Sequence, residues 1–298
     1  MLTRGMKLGL STTGLLTLVT VAAGIFIGSR SALAKDPLGR SWSAGQYVSM
    51  DDVDHSSFDQ LLQKYVDQDG MVNYAAWHRS AQDRGQLQQY LARLSQASPG
   101  IQASRQGQLA FWINAYNATT LEGILQVYPT TSIRNHTAKI AGYNIWKDLP
   151  LLVGGKPYSL DSMEHQVLRK MGEPRIHFAI VCASIGCPRL LNQAYTADRL
   201  QQQLALNTRD FFSRPQNFRV DQSGTMHVSA ILDWFGTDFG NSQQAQFTAL
   251  QQYLPENAQR IAVSPNARVV FQEYNWSLNA HSAARSSGTP AKAASGKR

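Results

Sequence analysis

Between Gln106 and Leu125 the chain reads Q-G-Q-L-A-F-W-I-N-A-Y-N-A-T-T-L-E-G-I-L. The run is apolar nearly all the way round, so it predicts a central helix buried on every side, without a solvent face. Such a helix needs other elements packed around it, which makes it the middle of a fold and not a peripheral support. Asn114 and Asn117 lie three apart and share a face. Asn is a mediocre helix former, and a buried amide needs hydrogen-bond partners. Two readings stand: the pair ties down neighbouring loops, or one of them orients a catalytic group or a substrate.

The flanking sequence supplies the surrounding elements. Phe58, Leu61, Leu62, Tyr65 and Val66 recur at helical spacing, as do Leu87, Tyr90, Leu91 and Leu94. Met71 to Tyr74 reads as a short strand after the Asp69-Gly70 turn. Asp67-x-Asp69 superficially resembles a calcium loop, but Val72 stands where the sharp-turn glycine belongs and His78 where the bidentate glutamate belongs. Ser159 to Glu164 looks like a helix start with Asp161 and Glu164 at capping spacing, Met163, Val167 and Leu168 as its buried stripe, and Gly172-Glu173-Pro174 as its end. Ile176 to Val181 predicts a buried strand, Leu200, Leu204 and Phe211 a further helix, and Phe218/Val220 with Met226/Val228 a hairpin across Asp221 to Gly224. Helices mixed with short local strands predict an α+β fold, a single helix-rich domain with a small, mostly antiparallel sheet.

The two ends differ from the middle. Arg4 and Lys7 precede a long apolar run, Leu8 to Gly28, and Ala32-Leu33-Ala34 follows with small-residue cleavage character. This is the pattern of a signal peptide over residues 1–34, cut after Ala34; the rival is a retained membrane anchor. Either way the body is expected outside the cytoplasm, periplasmic or extracellular. Residues 35–50 read as a linker, 51–279 as the folded domain and 280–298 as a basic, disordered tail. The net charge of +8 belongs largely to the ends. Three basic residues lie in 1–34 and four in 279–298, so 21 of the 28 remain in the middle against all 20 acids. A near-neutral body excludes a nucleic-acid partner, and membrane contact is expected only through a retained N-terminal segment.

Cys182 and Cys187 are the only cysteines. Two are too few for a disulfide scaffold, so the core rests on apolar burial, although one bridge, Cys182–Cys187, remains open to an exported chain. A nucleophilic thiol needs a base or a positive charge nearby. On a strand, His177 would have opposite parity to Cys182 and lie about 16 Å away, which favours His165 on the preceding helix. Glu164 is adjacent to it, but neighbours on an α-helix diverge by about 100°. The Ser184-Ile185-Gly186 loop offers backbone N–H groups to a developing oxyanion, and Gly186 permits a tight bend. Two cysteines and a distant histidine fall short of a metal set, so no metal is assigned. No dinucleotide fingerprint or phosphate loop occurs, so no cofactor is assigned.

A-F-W-I-N-A-Y-N, S-L-D-S-M-E-H-Q-V-L-R, R-I-H-F-A-I-V-C-A-S-I-G-C-P-R-L and Y-N-W-S-L-N, in that order, resemble the DUF547 family over about Asp51 to Asn279. The resemblance implies that Asn114, Asn117, Glu164, His165, Arg175, His177, Cys182 and Cys187 occupy family-motif positions. Its name records an unknown function, so it implies no substrate. Val181 stands where the family often has Asn before the first cysteine, and Asn275 where it often has Asp in Tyr-Asp-Trp. If that Asp orients a histidine, an amide must serve here. A papain- or transglutaminase-like thiol fold is an expectation by analogy alone, and the histidines here precede the cysteine in the chain.

These readings converge on three functions. The first is an exported cysteine-dependent hydrolase or acyl transferase acting on a peptide or small molecule, with Cys182 as nucleophile, His165 as base and Glu164, Asn114 or Asn117 orienting it. The second is a non-catalytic binding or scaffold domain with a structural Cys182–Cys187 bridge. The third is redox cycling of that pair.

Overall fold

The computed structural model describes residues 36–138 and 142–281. The leader, its cleavage after Ala34 and the tail beyond His281 lie outside the described residues. The helices before the cysteines are α1 (Ser56–Tyr65), α2 (Tyr74–Arg79), α3 (Ala81–Leu94), α4 (Arg105–Val127) and α5 (Ile145–Asp148). A hairpin of β1 (Leu151–Val153) and β2 (Lys156–Tyr158) leads into α6 (Leu160–Ser162). After the cysteines come α7 (Leu200–Ser213), β3 (Phe218–Val220), β4 (Met226–Ser229), α8 (Ile231–Phe235), α9 (Gln243–Leu250), α10 (Glu256–Ala262) and β5 (Val269–Gln272). This is an α+β fold whose small sheets have two and three strands.

Helix α4 is the buried rod that its composition demands. The Ser104 side chain caps it by accepting the Gly107 N–H at 3.0 Å, and from Leu109 to Leu125 every residue is buried. Helices α2, α3 and α6 and the turn at Met50–Asp52 pack around it. Two apolar clusters result. The larger surrounds α4; the smaller is built on Phe178, Phe211, Phe212 and Phe218 with Met226 and Val228 of the sheet. The segment read as a linker lies along the larger one. Leu38 exchanges backbone hydrogen bonds with Pro150 and Leu152, and Val48 with Gln96 and Ser98. At the other end His281 N–H donates to Val72 C=O, so ordered contacts run past Asn279.

The hairpin expected from the alternation forms in register, Phe218 opposite Val228 and Val220 opposite Met226. β5 adds to β4 in parallel, and its Val-Val-Phe run has no apolar-polar alternation to mark it as a half-buried strand. Met71–Tyr74 is not a strand: Val72 makes isolated bridges to Val66 and Ala280, and Tyr74 already begins α2. The helix at Ser159 starts from Ser159 itself, whose hydroxyl accepts the Ser162 N–H, rather than from Asp161.

The predicted strand over Ile176–Val181 does not form. Pro174 begins a 3₁₀ turn, Pro174–Phe178, and the Glu173 carboxylate caps it. Amide side chains satisfy the backbone that follows. Asn117 donates to Ala179 C=O and accepts from Val181 N–H, both at 3.0 Å, and Asn207 donates to Phe178 C=O. With its polar groups paired in this way the segment needs no neighbouring strand. Asn114 clips Tyr195 similarly, with one hydrogen bond to each backbone polar group.

Candidate active site

A cavity of about 270 Å³ opens where the two apolar clusters meet. Cys182, Cys187, His165, His177 and Glu164 all line it, while Asn114 and Asn117 hold backbone behind it. The parity argument that set His177 against Cys182 fails because the strand beneath it is absent. His165 and Glu164 share the cavity as well. From Met163 to Leu168 the helix widens into a π turn, which narrows the divergence of neighbours only slightly, and both side chains reach the cavity lining. Met163 and Leu168 are buried as expected.

Cys182 is partly exposed and Cys187 buried, and both are free thiols. Ala183 between them and the loop adopts a left-handed φ of 57°, a conformation that costs a non-glycine residue about 1 kcal/mol or more. A turn from Ser184 C=O to Cys187 N–H then folds the second sulfur back, and Cys182 N–H donates to Cys187 Sγ at 2.9 Å. Gly186 serves by its size, not by a special φ. A Cβ there would lie 3.0 Å from the Tyr274 ring and the Asn275 nitrogen. Ile185 and Gly186 N–H groups are committed to Ser277 and Asn275 carbonyls, so they are not the oxyanion donors that the loop promised.

Tyr274 Oη lies 3.1 Å from each sulfur, and Ser184 Oγ lies 3.5 Å from Cys182 Sγ. Hydrogen bonding from Cys187, and then from Ser184 and Tyr274, holds the Cys182 thiol below its ordinary range, although burial and the nearby Glu164 oppose this. Burial, reinforced by Cys182, pushes the Cys187 thiol far up. The pair is thus asymmetric: a thiolate-prone sulfur at the cavity and a protonated sulfur behind it. Among the described residues no hydrogen bond joins Cys182 to either histidine.

The histidines share the cavity with Cys182 and belong to a charged network with Arg169 and Asp238. His177 Nε2 and Asp238 Oδ2 are 2.8 Å apart, and the His177 ring stacks on Phe235 at 4.3 Å. Arg169 donates twice to Asp238 at 2.7 Å and also reaches His165 Nδ1 at 3.2 Å. These Arg169 bonds, more than His177, bring the Asp238 carboxyl down to about 2. Burial lowers His177 despite Asp238, so it is the neutral imidazole that the site favours. Burial raises Glu164, which accepts the Tyr116 hydroxyl at 3.2 Å. Asn275 orients no histidine; its side chain accepts Ser277 N–H. Arg175 is paired with Glu173 away from the cavity. Aromatic rings form the rim. Trp276 contacts both Trp146 and Trp234, and Trp234 is 45% exposed.

Nothing local announced Asp238, 69 residues from Arg169, whereas Arg169 closes the quoted S-L-D-S-M-E-H-Q-V-L-R motif. Tyr274 stood in a quoted motif, but attention there went to its neighbour. Among the described residues no helix is long and apolar enough to cross a membrane.

In comparisons with known proteins, residues 101–212 match the family model described as "Protein of unknown function, DUF547". The match takes in α4, the π turn, both cysteines and most of α7, and leaves Tyr274 and Asp238 outside. No curated protein and no solved structure matches the chain.

Proposed function

We propose that the chain, whose residues 101–212 match the DUF547 family model, is a cysteine-dependent hydrolase or acyl transferase. The observation that carries the reading is one cavity lined by a thiolate-prone Cys182 and by His177, whose Nε2 is held by Asp238. Acyl transfer uses both halves of that arrangement, the thiol as nucleophile and the carboxylate-held imidazole as base.

Cys182 sulfur attacks the carbonyl carbon of an ester, thioester or amide, and the carbonyl π pair moves onto oxygen. Collapse expels the leaving group, which takes a proton from an acid in the cavity, and leaves an S-acyl enzyme. Water, or an acceptor nucleophile, then gives its proton to an imidazole as it attacks the thioester, and Cys182 thiolate departs. His177 is the better base. Its Asp238 contact fixes the Nε2–H tautomer and frees Nδ1, following general triad logic. His165, the earlier choice, is held by Arg169 and not by a carboxylate. Glu164 keeps its proton to higher pH than a free carboxyl and serves as an acid. Resting activation of the thiol comes from neutral hydrogen-bond donors, so the histidine acts on substrate, leaving group and water. The basic, apolar and small-residue order of residues 1–34 supports a site of action outside the cytoplasm.

The test is to incubate reduced protein with a panel of activated esters and thioesters and read intact mass and peptide maps. An acyl adduct on Cys182 that forms in native protein, is absent from Cys182→Ala and accumulates in His177→Gln supports the reading. Turnover by His177→Gln should drop about 100-fold or more, and by less in His165→Gln. Undiminished turnover by Cys182→Ala would sink it.

A further inference from the structure

Cys187 is buried, makes no covalent bond and forms none with substrate in acyl transfer, yet the loop brings it back to the reactive sulfur. Both sulfurs lie 3.1 Å from one hydroxyl oxygen, so they are separated by no more than twice that distance. The chain on either side is pinned, by Asn117 at Val181 and by Asn275 at Gly186, so the sulfurs are held as a pair by the fold and not by chance side-chain sampling. Only Cys182 faces the cavity with appreciable exposure, which fixes the order in which the two are reached.

We propose that Cys182 and Cys187 form a reversible disulfide that switches the thiol site off, made by peroxide oxidation of Cys182 and resolution by Cys187. This rests on the thiol-enzyme reading for its consequence, but the bond itself is chemistry of the two sulfurs. Cys182 thiolate attacks one oxygen of hydrogen peroxide; the O–O bond breaks, and water leaves once the released hydroxide is protonated, giving a sulfenic acid. Cys187 sulfur then attacks Cys182 sulfur; the S–S bond forms, the S–O bond breaks, and the hydroxyl leaves as a second water with the Cys187 proton. Two thiols are oxidised by two electrons and one peroxide is reduced to two waters. A dithiol reverses the step by exchange. Tyr274, touching both sulfurs, is placed to protonate the leaving group at either stage. The bridge also spares Cys182 from the irreversible sulfinic and sulfonic acids further up the oxidation ladder.

The experiment treats reduced native protein, without substrate, with hydrogen peroxide and follows intact mass, peptide maps and labelling of Cys182 by iodoacetamide. The expected result is a species two hydrogens lighter with 182 joined to 187, loss of labelling, and full recovery with dithiothreitol without denaturant. Cys187→Ser should instead give a sulfenic acid trapped by dimedone and proceed to an oxidised form that dithiothreitol does not restore. Wild-type protein that gains oxygen on Cys182 without bridging overturns the proposal, and so does a bridge reducible only after unfolding, because that bond is structural. Failure of the acyl-transfer reading appears separately, as absence of an acyl adduct on reduced Cys182.

Discussion

The Tyr274 hydroxyl contacts two sulfurs but has one proton to give. When Cys182 is a thiol its S–H faces Ser184 Oγ and the Tyr274 O–H faces Cys187; when Cys182 ionises, the Tyr274 hydroxyl is within reach to turn to it. A charge-assisted bond of this kind contributes about 1.5–3 kcal/mol. Tyr274→Phe should therefore slow neutral-pH alkylation of Cys182 by about tenfold with little effect on melting temperature, read by mass-resolved labelling and a thermal melt. An unchanged labelling rate would show that Tyr274 only packs. Of this network the sequence disclosed Cys182, Cys187, His165, His177 and Glu164, because those residue types carry chemistry and stand close together. Arg169 and Tyr274 stood in the quoted motifs, but their roles, and Asp238 altogether, were hidden because Asp238 and the sulfurs lie far along the chain from them.

Two elements set the site by departing from regular geometry. Glu164 and His165 lie in a π turn and line one cavity, and the irregular segment after Pro174 lets His177 and Cys182 line it too. The second depends on Asn117. Replacing it with Ala leaves the buried Val181 N–H and Ala179 C=O without partners, a cost of about 1–3 kcal/mol for each group so orphaned. Asn117→Ala should lower the melting temperature and blunt Cys182 labelling together; loss of one without the other would separate the clip from the site. Helical periodicity made α1, α3, α4 and α7 legible, and alternation did so for β3 and β4. The Ile176–Val181 run looked like a strand because apolar, β-branched residues are what a strand wants; the competing amide lies more than 60 residues away and leaves no local trace.

Across the whole molecule, Asp238, Arg169 and His177 tie the turns on either side of the cavity to each other, so the site should impose a pH dependence on stability. His177 is lowered from 6.5 by burial. Below that value the unfolded chain takes up a proton that the native state resists, and stability falls as pH drops. Asp238 is lowered from 3.8 to about 2. Its contribution is complete above 3.8 and is lost as pH falls through about 2. Asp238→Asn should remove that second loss, cost about 1–3 kcal/mol at neutral pH for a partly exposed pair, and depress turnover. Melting curves from pH 7 to 2 would show it, and a variant with the wild-type acid profile would contradict it. Seven of the basic residues lie in 1–34 and 279–298, outside the stretch that holds this network's residues, so overall charge said little about the chemistry.

The most direct test is the pH dependence of iodoacetamide labelling on native, reduced protein, with the modified cysteine identified by mass. The account predicts that Cys182 alone reacts, with a midpoint below the ordinary thiol value of about 8.5, and that Cys187 stays untouched until the protein unfolds. If neither cysteine reacts in the native state, or Cys182 titrates like a free thiol, there is no activated nucleophile, and the chain is better understood as a scaffold than as an enzyme.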